Sequence, residues 1–109
     1  NCGTLPDFGN FCIAEEGYGS LFDGSCKKVY DPYQGVSEMI SSAFGVSAKA
    51  YDFDAEGNET TLDYRRLISI VKEAGYNGFI GVEYEGDRIS ERDGIIATKN
   101  LLEKIGATL

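Results

Sequence analysis

Three times along the chain a short apolar run ends in a polar, glycine-containing loop and gives way to a helical pattern. The runs are CGTLP (2–6), GVSAKAY (45–51) and GFIGVEY (78–84). This alternation limits the fold more than any other feature of the sequence. Strands separated by helices cannot close as tight hairpins, so they pair in parallel through right-handed crossovers. The expected fold is therefore α/β, built from parallel (β/α) units of about 30 to 40 residues. The unit boundaries fall at about 1–44, which includes a long loop at 8–30, then 45–75 and 76–109. A doubly wound sheet and a (β/α) barrel share this pattern, and both bind ligands beyond the carboxyl ends of their strands.

The helix ends are marked to different degrees. In the first helix Asp31 and Pro32 make a start and Val36, Met39, Ile40 and Ala43 supply one face, while Gly35 costs about 1 kcal/mol relative to Ala. For the second, Thr60 or Thr61 is the expected cap and Asp63 suits the first turn. Tyr64, Leu67, Ile68, Val71 and Ala74 then form an apolar stripe that Gly75 stops. The third starts at Ser90, with Asp93 three residues on, and carries Ile95, Leu101, Leu102 and Ile105 before Gly106.

Composition narrows the partners. With 109 residues, 42% hydrophobic and 26% charged, the chain fits one soluble globular domain or part of one. Its net charge is -8 and its ten Lys and Arg are scattered, so nucleic acid is a poor partner. No apolar stretch approaches the roughly 20 residues that span a bilayer, so no membrane partner is expected. The chain opens on Asn1, just before the first strand, which reads as a start inside a longer protein. A cytoplasmic location is the default expectation.

Cys2, Cys12 and Cys26 match no zinc spacing, and no His is present to complete a site. Small buried or loop thiols are expected, with a Cys12 to Cys26 disulfide as the alternative in an oxidising compartment. The lack of His also removes Ser-His and Cys-His nucleophile pairs, leaving acid-base chemistry to carboxylates, Lys or Tyr.

Side chains alternate across a strand. In FIGVEYEG (79–86), Ile80, Val82 and Tyr84 share the face suited to helices, while Phe79, Gly81, Glu83 and Glu85 share the other. The same parity turns Val46, Ala48 and Ala50 toward helices and Ser47, Lys49 and Tyr51 away from them, and it places Leu5 with Asp7. Three strands thus deliver Asp7, Lys49 and Glu83 to one side and one end of the sheet. An unpaired buried carboxylate there costs several kcal/mol, so Glu83 needs a partner. A Lys49–Glu83 ion pair with no chemistry would also satisfy it.

The loop at 8–30 carries Phe11, Tyr18, Phe22 and Tyr30 without clear periodicity. A stretch of that length reads as a lid over the strand ends, a subunit contact or a self-packed loop. Asp52, Asp54 and Glu56 in YDFDAEGN read as a solvated loop, since the spacing and terminal Glu of a calcium-binding EF-hand are missing. GYGS at 17–20 opens no helix and so makes no phosphate-binding loop.

The stretches GTLPDFGNF and GVSAKAYDFDAEGNETTLDYRRLISIVKEAGYNGFIGVEYEG, with the helix that follows, resemble the xylose isomerase-like barrel proteins. They are most similar to the sugar phosphate isomerase/epimerase group. The resemblance implies that the chain is a C-terminal fragment, the last three strand-helix units (6–8) of a TIM (β/α)8 barrel that usually takes about 250 residues. It implies a sugar or sugar phosphate substrate and proton transfer at a sugar carbon, with Glu83 and Lys49 as the catalytic residues. It also implies a divalent metal, Mn or Mg, with Asp7 and Glu83 as ligands. Asn10, Ser47, Tyr51 and Arg88 would bind substrate. Ser47 stands where the family carries a metal-binding His and Asn10 where a second His is common, and serine is a poorer ligand for a transition metal. A non-catalytic carbohydrate-binding barrel is the alternative. Three units alone leave two open sheet edges, which admit pairing with another copy of the chain and leave the isolated piece without activity.

Overall fold

The computed structural model describes residues 1–14 and 17–109; Glu15 and Glu16, inside the long loop, lie outside the described residues. The elements run α1 (Pro32–Met39), a 3-10 turn (Ile40–Ser42), β1 (Val46–Ala50), α2 (Tyr64–Glu73), β2 (Ile80–Tyr84) and α3 (Glu91–Gly106). The two strands are parallel, with Val46 opposite Ile80 and Lys49 opposite Glu83. The expected α/β composition with a parallel sheet is present.

The run at 2–6 differs from the expected strand. It touches the β1 segment only through isolated parallel bridges, Thr4 with Ala43 and Asp7 with Ser47. Proline supplies the reason, because Pro6 has no N–H to donate and its carbonyl alone joins the ladder, accepting from Ser47 N at 2.9 Å. The two sides also advance unequally, Thr4 to Asp7 facing the longer stretch Ala43 to Ser47, so the ladder breaks between the bridges. Phe8 N restores it with a 3.1 Å bond to Ser47 O. The segment 4–8 therefore runs beside β1 on the edge opposite β2, which puts Asp7 next to Ser47.

The caps explain where the helices begin. Asp31 accepts from the amides of Tyr33 and Gln34, with Pro32 in the first turn. Ser90 accepts from Asp93 N. For α2 the cap is Asp63, which accepts from Arg66 N, rather than Thr60 or Thr61. Those threonines lie too early because Glu59 takes the amides of Thr61 and Leu62 in a turn ahead of the helix. Gly75 ends α2 with φ +77°, a left-handed conformation that favours glycine.

Among the described residues α1, α2 and α3 lie on one face of the sheet. Val46, Ala48 and Ala50 of β1 join one buried cluster with Val36 and Ile40, with Leu67, Ile68 and Val71 of α2, and with Leu101 and Ile105 of α3. The α3 stripe is rotated from the expected one: Gly94 and Thr98 are buried, whereas Ile95 is exposed. Gly94 allows this because a Cβ there would lie 2.3 Å from the Tyr84 ring, so the helix approaches β2 along its glycine. Ala74, expected on the α2 stripe, is also exposed. On the opposite face Leu5 and Phe79 remain 62% and 95% exposed. Leu67 is fully buried at the centre of the cluster. Its replacement by alanine is expected to cost about 2–5 kcal/mol, read as a lowered urea midpoint at unchanged slope.

Candidate functional site

Strand alternation and register bring a charged cluster to the carboxyl end of the sheet, on the face without helices. Lys49 sits at its centre. Its Nζ lies 2.8 Å from Asn10 Oδ1, 3.2 Å from Glu85 Oε2, 3.4 Å from Glu83 Oε1 and 3.9 Å from Asp7 Oδ1. The lysine is buried, at 3% exposure, and its main-chain carbonyl accepts from the Tyr64 hydroxyl at 2.6 Å, which holds the strand against α2. Ser47 donates to Glu83 Oε2 at 3.0 Å, and Gly9 N donates to Asp7 Oδ1 at 2.8 Å. Gly9 has to be glycine for this packing, since a Cβ there would fall 2.3 Å from the Tyr51 hydroxyl and 2.7 Å from Lys49 Cδ.

The two carboxylates that touch Ser47 are pushed apart in acidity. Burial raises Asp7, outweighing its hydrogen bonds with Ser47 and Gly9 and the charge of Lys49, while the charge of Glu83 adds to the rise. Burial acts on Glu83 too, but the Ser47 hydrogen bond, the Lys49 charge and hydrogen bonds with Asp7 and Lys49 bring it below the usual glutamate value. For Lys49 desolvation is opposed by Asp7, Glu85 and Glu83, which together hold the ammonium above the usual lysine value. Tyr51 is pushed up by burial and by the surrounding carboxylates, led by Glu85, so its phenol keeps its proton.

The loop at 8–30 supplies the rim. Contrary to the expected free thiols, Cys12 and Cys26 form a disulfide, and Cys2 is free and exposed. Cys12 also pairs with Val29 across an antiparallel bridge, so the segment closes on itself. From this closed loop Asn10 reaches Lys49, and Phe22 stacks on Tyr51 with ring centroids 5.5 Å apart and planes 6° from parallel. Replacing both Cys12 and Cys26 by serine is expected to lower stability by about 3 kcal/mol, the entropy of a closed loop of this size. Comparing the thermal midpoint of this variant with that of the oxidised protein tests the estimate.

Of the sequence-derived site residues, Asp7, Asn10, Ser47, Lys49 and Glu83 come together, and Tyr51 borders them. Arg88 does not join them. Its Nε and Nη2 bind Asp52 Oδ1, each at 2.7 Å, and Nη2 also donates to Phe53 O, which ties the loop after β2 to the loop after β1. Two acidic residues have roles outside the sequence-derived set. Glu85 is a direct partner of Lys49, and the parity that pairs it with Glu83 was the available signal. Glu59 is buried and accepts from the amides of Tyr51, Asp52, Thr61 and Leu62, which pins the β1 loop beneath the site. Burial pushes its pKa above the usual glutamate value, against the lowering by those amides. No spacing rule points to Glu59, because the turn that gathers its donors is tertiary.

The donor set also bears on the expected metal. Among the described residues no group of three or more His, Cys, Asp or Glu gathers to hold an ion. The Lys49 ammonium is within 4 Å of both Asp7 and Glu83, and the Ser47 hydroxyl occupies the second oxygen of Glu83. These residues by themselves do not fit a divalent metal, because the two carboxylates already face a cation.

No protein-family model matches the chain. A stretch of 54 residues is 33% identical to the C-glycoside deglycosidase alpha subunit of Arthrobacter globiformis, a match that covers 50% of this chain and 15% of that protein. The chain is thus similar, over half its length, to a small part of a longer enzyme subunit.

Proposed function

We propose that the chain forms the last three strand-helix units of a xylose isomerase-like (β/α)8 barrel and carries the proton-transfer side of a sugar isomerase or epimerase site. The observation that carries this reading is the buried Lys49 ammonium, ringed by Asp7, Glu83, Glu85 and Asn10 at the carboxyl ends of the parallel strands. Helices confined to one face support it, as do Leu5 and Phe79, exposed on the other face where a closed barrel stacks its interior side chains. The name of the similar subunit, a C-glycoside deglycosidase, supports a carbohydrate-acting enzyme in general.

The chemistry follows from the charges. Glu83, ionised and half-exposed, is the base that takes the proton from a carbon beside the sugar carbonyl. The C–H electron pair becomes a carbon–carbon double bond and the carbonyl π pair moves to oxygen. Lys49 then faces the resulting enediolate with a fixed positive charge in a largely water-free setting. Protonated Glu83 returns the proton to the neighbouring carbon in isomerisation. Asp7 relays the proton that the neighbouring hydroxyl loses to the former carbonyl oxygen, so it ends the cycle in the state in which it began.

Proton exchange tests the reading directly. The full-length protein incubated with aldoses and ketoses in deuterium oxide should introduce deuterium at the carbon next to the carbonyl, seen by NMR. A second reading, sugar binding without chemistry, is favoured by the exposed Tyr18 ring beside the site and by the Phe22–Tyr51 stack. Saturable sugar binding with no deuterium incorporation would establish that reading instead.

A further inference from the structure

We infer that the site selects an unphosphorylated, uncharged sugar and discriminates against its phosphate esters, with Glu85 as the specificity-determining acid. This rests on the sugar-isomerising reading above and narrows its substrate class.

A cavity of about 200 Å³ opens beside Lys49, between the disulfide-closed loop and the ends of the strands. Asn10, Tyr18, Ser20, Tyr51 and Glu85 contribute to its lining. That is smaller than the roughly 300–1,000 Å³ of a drug-sized ligand site, so it holds one small ring or one end of a sugar. The polar groups are an amide, three hydroxyls and a carboxylate, and Glu85 is an acceptor that suits sugar hydroxyls and repels a phosphate dianion. No Lys or Arg lines it among the described residues. The adjacent Lys49 is paired with both Glu83 and Glu85, so the charge around the cavity is net negative.

The neighbouring loops agree. (β/α)8 enzymes frequently bind a substrate phosphate on the loops after their last two strands. Here the loop after β1 carries Asp52, Asp54, Glu56, Glu59 and Asp63, and the loop after β2 carries Glu85 and Asp87. The one basic residue in those loops, Arg88, is held in its bidentate contact with Asp52. The usual phosphate position is therefore acidic, and like charges placed together there oppose binding.

The experiment compares matched pairs, free hexoses and pentoses against their terminal phosphate esters, on the full-length protein. Calorimetric titration gives affinity and deuterium exchange gives turnover. Free sugars should bind and exchange with affinities at least about tenfold above their esters. Raising salt from about 50 to about 500 mM should improve ester binding by screening repulsion. The Glu85→Gln variant should narrow the gap between each pair. An ester that binds as tightly as its free sugar, or that salt weakens, overturns the inference and leaves the isomerase reading standing if the ester exchanges deuterium. If neither member of any pair binds or exchanges, the isomerase reading fails, and the selectivity inference fails with it.

Discussion

Replacing Lys49 by methionine is expected to lower kcat by about 10²- to 10³-fold, the usual loss when one fixed electrostatic contact to a developing oxyanion is removed. The methionine fills most of the lysine stem, so packing against Gly9 and Tyr51 is preserved. In the proposed reaction the effect should fall on kcat more than on KM, because the ammonium would matter most when charge reaches the enediolate oxygen. The same variant leaves Asp7, Glu83 and Glu85 facing one another without a cation, so the acid limb of the activity profile should move to higher pH. A purely structural lysine would lower stability but leave kcat of the folded protein near native at a pH where Glu83 is ionised. The stability contribution has a defined sign. Lys49 is held above the usual lysine value in the folded state, so its contribution is complete below the unfolded value and is lost as pH climbs through the folded one. A denaturation series at alkaline pH should show that loss in the native protein and not in the Lys49→Met variant.

The Glu83→Gln variant should lose turnover by about 10²- to 10⁴-fold while folding almost normally. The side chain is 44% exposed, and glutamine can still accept from Ser47 through its carbonyl oxygen, so little packing is disturbed. What disappears is the basic oxygen beside Lys49. Because Glu83 is held below the usual glutamate value, it remains ionised through neutral pH and the native activity should fall only under acidic conditions. Its contribution to stability is present above the unfolded glutamate value and is lost as pH falls through the lower folded one. Near-native turnover in Glu83→Gln would remove the residue from the proton-transfer role and move attention to Glu85, the other exposed carboxylate on Lys49.

Much of this site could be read from alternation alone. A period of two places Asp7, Lys49 and Glu83 on the same side of their strands, and the parallel order brings them to one end. Glu85 followed by the same rule. Arg88 did not, because a loop side chain has no parity to constrain it, and its guanidinium found a carboxylate and a carbonyl on the neighbouring loop. Cysteine spacing likewise left the thiol and disulfide states both open. The loop fold that brings Cys12 and Cys26 to a Cα separation of 5.8 Å decided between them.

The parallel α/β plan and the face of each strand follow from helical and strand periods, which are local properties of the chain. Local sequence also placed the caps at Asp31 and Ser90 and the stop at Gly75, where a side-chain acceptor or a left-handed backbone acts within a few residues. Three outcomes came from the packed fold: Lys49 shared among three carboxylates and Asn10, Glu59 gathering four amides under the site, and the first strand breaking at Pro6. Those outcomes depend on distances between segments far apart in the chain, and on how burial and neighbouring charge divide a proton between Asp7 and Glu83.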